Sequence, residues 1–316
     1  MIPPKGALLA LLVLLGAGWG ITPPLTKIAV SDGYRQFGII FWQLALGVAI
    51  LGPLVAARGM RLPIGPAHLR LYAAIAAVGT ILPNAASYQA AVHLPAGILA
   101  ILLSTVPMFA FAIAMGLGTE RLNRLRLLGL ALGLLGVVLI VAPQGGLPER
   151  AMLAFVPLAL VGPFFYGVEG NLVAHRGTLG LDPITLLLGA ALVGLPVAAA
   201  LALVTGQWIS PLPPWGAPDL AIVLSSCVHV AVYAGYVWLV ARAGAVFAAQ
   251  VAYLVTGFGV VWSRLLLGES YSGWVWAAMA VMFAGLALVQ PRPNSTLVPT
   301  PARAKDISRP HPRARR

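Results

Sequence analysis

Charge is what this sequence has least of. Of its 316 residues only 9% are charged and eight are acidic, while 60% are hydrophobic. A soluble domain of ordinary composition cannot cover its surface with so few polar groups. A single cysteine, Cys227, excludes a disulfide within the chain and reads as a small apolar packing group. No H-E-x-x-H, no G-x-S-x-G and no clustered His/Cys spacing occurs, so the residue sets for intramembrane catalysis or metal binding are missing. The expectation is a protein that is not an enzyme and holds no cofactor. A P-loop is also absent, which excludes transport driven by ATP hydrolysis on this chain.

Long apolar runs are what it has in abundance. Crossing about 30 Å of hydrocarbon as a helix takes roughly 20 mostly apolar residues. Ten such runs stand at about 7–27, 37–57, 71–91, 94–116, 125–142, 151–173, 184–204, 219–241, 245–266 and 271–290. They are continuous rather than alternating, which argues against a membrane β-barrel. The expected fold is an all-α integral membrane protein with ten transmembrane helices. The first run resembles a signal peptide at its charged start, but it continues to Lys27 at full spanning length. The sixth is the weakest, carrying Pro157, Pro163 and Glu169; were it not to cross, everything after it would invert.

The net charge of +12 reports topology here and implies no nucleic-acid partner. Lysine and arginine are held back on the cytoplasmic side of a membrane, so their distribution among short loops sets orientation. With both termini inside, sixteen basic residues fall on the cytoplasmic side and four, Lys27, Arg35, Arg150 and Arg264, on the other. Without the tail the balance is still nine to four. Both termini are therefore expected in the cytoplasm, and the location expected is the cell (inner) membrane. Residues 291–316 are proline-rich, basic and almost free of apolar content, the composition of a disordered tail whose arginines can also meet anionic lipid.

The chain also repeats itself. A shift of 149 positions brings Ala96 onto Ala245, Ala100 onto Ala249, Glu120 onto Glu269 and Gly136 onto Gly285, and a shift of 147 sets Trp19-Gly20 against Tyr166-Gly167. The expected organisation is a first five-helix unit over 1–142, a joint at 143–150, and a second unit over 151–290. Five crossings are an odd number, so the second copy must be inverted. Two inverted copies can exchange conformations and open one shared central site to either side in turn.

Trp19-Gly20 with Lys27, the Ala/Gly-rich fourth run through Pro107 with Glu120 and Gly129 after it, and Gly268-Glu269 in the second copy resemble, in order and spacing, the drug/metabolite transporter superfamily. The match is to its ten-helix EamA-like members and covers about residues 7–290. The resemblance implies a cavity lined chiefly by helices 1, 3, 4, 6, 8 and 9, with 5 and 10 set apart. It also implies small-metabolite substrates, often amino acids being exported.

Ionisable groups inside a membrane cost roughly 2.5 to 3.5 kcal/mol at a helix centre, so each asks for a partner or a function. His229 lies near the middle of the eighth run. Two readings stand: a neutral imidazole bonded to a neighbouring helix, or a cavity wall continued by Tyr233 and Tyr236 at helical spacing. Glu169 lies roughly 9 Å from the middle of the sixth run towards its cytoplasmic end. It either reaches His175 or Arg176, or, with Tyr166 on the same face, holds a substrate ammonium group or carries a proton. Similar stripes place Trp19 on the first run, Asn84 and Tyr88 on the third, and Gln250 and Tyr253 on the ninth. The candidate substrate-binding set is thus Trp19, Asn84, Tyr88, Tyr166, Glu169, His229, Tyr233, Gln250 and Tyr253, with aromatic walls suited to apolar solutes or an ammonium group.

Gly129, Gly133 and Gly136 have the spacing that lets helices approach closely, either within a monomer or at the seam of a weak homodimer. Glu120 and Glu269 stand at helix joints, where capping is the default. Phosphorylated substrates would call for Lys or Arg near the midplane, and the runs hold none there. The expected function is a secondary transporter or facilitator for small zwitterionic or apolar solutes in contact with membrane lipid, with proton coupling open. Its rivals are a non-transporting scaffold or sensor on the same fold and a water-filled channel.

Overall fold

The computed structural model describes residues 5–120, 124–141, 147, 149–243, 245–248 and 250–289. The proposed tail at 291–316 and most of the joint at 143–150 lie outside the described residues. Among those described there is no strand. Eight helices are long and apolar enough to cross a membrane and two shorter apolar ones follow. We label the crossings α1 (Gly6–Ser31), α2 (Gln36–Ala57), α3 (Pro66–His93), α4 (Ala96–Gly116), α5 (Arg124–Val141), α6 (Arg150–Arg176) and α7 (Pro183–Val204). They continue as α8 (Ala217–Ala243), α9 (Val251–Leu267) and α10 (Gly273–Val289). The chain is an all-α, multi-pass membrane protein. With ten crossings, both ends of the described chain share one face, called here the terminal face; the opposite one is the distal face.

Helix ends follow local chemistry. Asp182 starts α7 by accepting from Ile184 N and Thr185 N ahead of Pro183 at the first helical position. Gly268 ends α9 in the left-handed region at φ 65, where a side chain would be strained. Proline sets the internal breaks. Pro23 cannot donate to Trp19 O, and the Thr22 hydroxyl donates to that carbonyl instead, at 2.8 Å. Before Pro107, α4 breaks between Ala96–Leu103 and Val106–Gly116, and Ser104 and Thr105 donate to Ile101 O and Leu102 O. The third crossing carries a π-helical stretch, Ala76–Ile81, ahead of Pro83. The sixth crosses despite its two prolines, opening with a 3-10 turn at Arg150–Phe155. The ninth is shorter than its apolar run, because Ala245–Ala248 forms a separate short helix before it.

The packing pattern repeats when each helix is exchanged for the one five places along the chain. Contacts α1 with α9, α3 with α6, and α2 with α8 are matched by α6 with α4, α8 with α1, and α7 with α3; α5 with α10, α2 with α7, and α4 with α9 map onto themselves. The correspondence reaches single residues. A Cβ on Gly20 would lie 2.8 Å from Phe258 Cβ and 2.9 Å from Gly259 N, while one on Gly167 would lie 2.9 Å from Ala110 N and 3.1 Å from Phe109 Cβ. Phe109 and Ala110 are the residues 149 positions before Phe258 and Gly259.

Gly129, Gly133 and Gly136 are buried within the chain, against α10. A Cβ on Gly285 would lie 2.7 Å from Gly129 O, and one on Gly136 would run into Met282 and lie 3.2 Å from Ala278 O. Leucine at Gly136 is therefore expected to separate α5 from α10 and to destabilise the fold by about 1–3 kcal/mol, the usual cost of overpacking. A drop in the thermal midpoint of the purified protein in detergent would register it.

Candidate transport passage

The exposed residues of α8 decide which way its histidine faces. Leu220, Leu224, Cys227, Ala231 and Trp238 are exposed and, at about 100° per residue, form one stripe along the helix. That is the pattern of a lipid-facing side, and the Arg242 guanidinium snorkels back over the Trp238 ring at 4.2 Å. His229 is exposed too, yet it sits roughly 180° from that stripe, on the side turned towards α1 and α2. An exposed side chain on the inward side of a packed helix borders open space inside the bundle. No hydrogen bond from His229 to a neighbouring helix is present among the described residues.

The groups around this space are aromatic and polar. Trp19 of α1 packs on Tyr236 at 5.4 Å and on His229 at 6.3 Å, and His229 stacks with Tyr233 at 6.5 Å. Across the space, the Tyr166 hydroxyl of α6 donates to Asn84 Oδ1 of α3 at 2.7 Å. Nearer the distal face, the Tyr88 hydroxyl donates to Gln43 Oε1 of α2 at 2.6 Å. Tyr166 and Tyr233 both lie within reach of the Glu169 charge, and Tyr88 within reach of Tyr166. Seven of the nine candidate residues thus come together: Trp19, Asn84, Tyr88, Tyr166, Glu169, His229 and Tyr233.

Of the two readings of Glu169, the contact with His175 or Arg176 is not made; both are exposed in the last turn of α6. Its carboxyl group lies instead on the π-helical stretch of α3: a Cβ added to Gly79 would be 2.6 Å from Glu169 Cδ and 2.9 Å from Oε2. Among the described residues it has no hydrogen-bond or ion-pair partner. The π-helical stretch presents the backbone of a side-chain-free residue to the carboxylate, and π turns within α-helices are frequent at functional sites.

The remaining two candidates are elsewhere. Tyr253 packs at 5.5 Å on Phe283 of α10, beside the cluster of Met108, Phe111 and Leu286. Gln250 stands at the N-cap of α9, at the terminal face. Sequence reasoning missed Gln43 because α2 was outside the helices expected to line the cavity. The signal was there, since a lone amide in the apolar run FWQLALG asks for a partner.

On the distal side the helix ends are tied together. Lys27 Nζ donates to Ala91 O and Val92 O, the last carbonyls of α3, at 2.7 and 3.2 Å. Glu269 caps α4, a helix from the other half of the chain, by accepting from Ala96 N at 2.7 Å and Gly97 N at 3.1 Å. The Tyr271 hydroxyl donates to Glu269 Oε2, and burial together with this bond pushes its phenol up. Nearby, Tyr34 donates to Asp219 Oδ1; burial first and then this bond push the Tyr34 phenol up to about 12. The outer half of α1 packs on α3 and α4, and no comparable packing of α6 on α8 and α9 is present among the described residues. The contacts that tie helix ends together thus gather on the distal side, while Glu169 and His229 stand without hydrogen-bond partners among the described residues.

The family model for EamA-like transporters matches the chain twice, over residues 4–142 and 153–290. The chain belongs to the EamA-like transporter family. Membership makes it a membrane transporter built from two repeats, in line with the duplicated helix packing. Proteins described as the uncharacterized inner membrane transporter YedA, from Escherichia coli strain K12 and from Escherichia coli O157:H7, are each 27% identical over 298 residues, 92% of this chain and 91% of theirs. A solved crystal structure overlays with a TM-score of 0.55 at 19% identity, covering 87% of this EamA-like chain and 95% of its own, a likeness of fold.

Proposed function

We propose that this EamA-like protein is a secondary transporter moving small zwitterionic or apolar metabolites, amino acids first among them, by alternating access at one chamber. The observation that carries the reading is the exposed His229 opposite the lipid-facing stripe of α8. It supports solvent-reachable space inside the bundle near Trp19, Tyr166, Glu169 and Tyr233. Aromatic faces offer apolar contact and cation–π attraction to an ammonium group, and the unpaired Glu169 carboxylate offers it a charge partner or a proton site. No lysine or arginine stands among the groups brought together there, which disfavours phosphorylated substrates. The exchange pattern of helix contacts supports two five-helix units related by an axis in the membrane plane. The excess of Lys and Arg on the terminal face supports placing both termini in the cytoplasm of an inner membrane.

Protein reconstituted in liposomes tests this directly. Saturable counterflow of a labelled amino acid, tried across aromatic, aliphatic and basic side chains with and without an imposed pH gradient, is the expected result. Conductance without saturation would make it a channel, and silence across the panel would leave a scaffold or sensor on the same fold.

A further inference from the structure

We propose that Glu269 and Glu120 are the two alternate latches of the transport cycle, each closing one face by holding the backbone of a helix hairpin in the opposite repeat. The inference rests on the alternating-access reading above. The distal latch is visible: Glu269, on the connection between α9 and α10, holds Ala96 N and Gly97 N at the turn from α3 into α4. Lys27 holds the carbonyl end of the same turn. A cation on the last carbonyls of α3 and an anion on the first amides of α4 match the partial charges of both helix ends, so the hairpin is clasped from both sides.

The duplication assigns the second latch. Moving 149 positions back from Glu269 gives Glu120, on the connection between α4 and α5; moving 149 forward from Ala96 and Gly97 gives Ala245 and Val246, at the turn from α8 towards α9. The same relation holds in three dimensions at the Gly20 and Gly167 crossings. Yet Glu120 is not engaged as Glu269 is. It is exposed and paired with Arg126, in the first turn of α5, at 2.8 Å. One latch is fastened while its counterpart is turned to solvent, and the fastened one lies on the distal side, where the outer half of α1 also packs on α3 and α4. On switching, Glu269 releases the turn before α4, and Glu120 leaves Arg126 to take the amides of Ala245 and Val246.

The two latches are unequal. Tyr271 adds a bond to Glu269, and its counterpart by position is Leu122; Lys27 corresponds through the shift of 147 to Ala174. The distal clasp therefore has two supports that the terminal clasp lacks, which biases the resting chain towards the distal-closed state.

Single cysteines report the exchange through their reaction with a membrane-impermeant maleimide applied from either side of oriented vesicles. Thr26→Cys reads the distal half, since Thr26 is buried on the face of α1 that carries Trp19 and lies two turns further out. Gly170→Cys reads the terminal half, beside Glu169. Adding Glu269→Gln is expected to raise labelling at position 26 by about tenfold and to lower it at position 170, as loss of a charged bond shifts a two-state balance. Glu120→Gln is expected to leave position 26 protected even when added substrate exposes it in the parent. Tyr271→Phe, a milder change that keeps the carboxylate, is expected to shift both reporters in the direction of Glu269→Gln. Reporters that stay unchanged, or that become reactive together as in loosened protein, overturn the latch. Substrate-driven exchange that persists in every variant would overturn the latch alone; no exchange in the parent would overturn the transport reading with it.

Discussion

Leucine at Gly20 or Gly167 is expected to leave no stable, active transporter. These glycines are the points where α1 meets α9 and where α6 meets α4, and the atoms in the way belong partly to backbone, Gly259 N and Ala110 N. A backbone cannot turn aside as a side-chain tip can, so the helices must separate along their length. Alanine alone is expected to cost about 1–3 kcal/mol, and leucine more. Because the two sites are counterparts, similar losses are expected at both, read as thermal midpoint and yield in detergent. A leucine variant at either site with parental stability would show that the close crossing is not formed. Loss at one site and tolerance at the other would break the equivalence of the two repeats.

Neutralising Glu169 should separate transport from folding. Glu169→Gln keeps the side chain's shape, so it can still rest on Gly79, and the parent carboxylate has no described partner for the change to orphan. The stability change is expected to be small. Transport of substrates carrying an ammonium group should fall by about tenfold or more, the value of roughly one charge-assisted contact. If the carboxyl group also carries the coupled proton, the pH dependence of transport will flatten in the variant. Equal rates for the parent and Glu169→Gln across pH would remove the carboxylate from the mechanism, whatever becomes of the chamber. Measuring His229→Gln beside it separates the two ionisable groups that border the space.

Much of this architecture was legible in the residues. Apolar run length gave ten crossings, and the shift of 147 that pairs Trp19-Gly20 with Tyr166-Gly167 marked two positions as counterparts, though not that helices meet closely there. Helical spacing also put His229, Tyr233 and Tyr236 on one side of α8. Spacing cannot say what that side looks at, because direction depends on neighbours far away in the chain. The same limit sent Tyr253 to the candidate chamber, when its side of α9 is taken by Phe283 of α10. Glu169 shows a different gap. Nothing in the sequence announces that α3 widens at Gly79, where the carboxylate lies against backbone. Glu269 was read as a cap at a helix joint; the helix it caps lies 172 to 173 residues away, a distance no capping pattern reports.

Cys227 offers an experimental convenience. It is the chain's one thiol, and it sits on the stripe of α8 that meets acyl chains. Water-borne reagents do not dissolve where it points, so the unaltered chain serves as its own blank in thiol chemistry. A lipid-soluble reagent should modify it and leave the chamber untouched, giving a fluorescent reporter of the surrounding annulus on the same molecule.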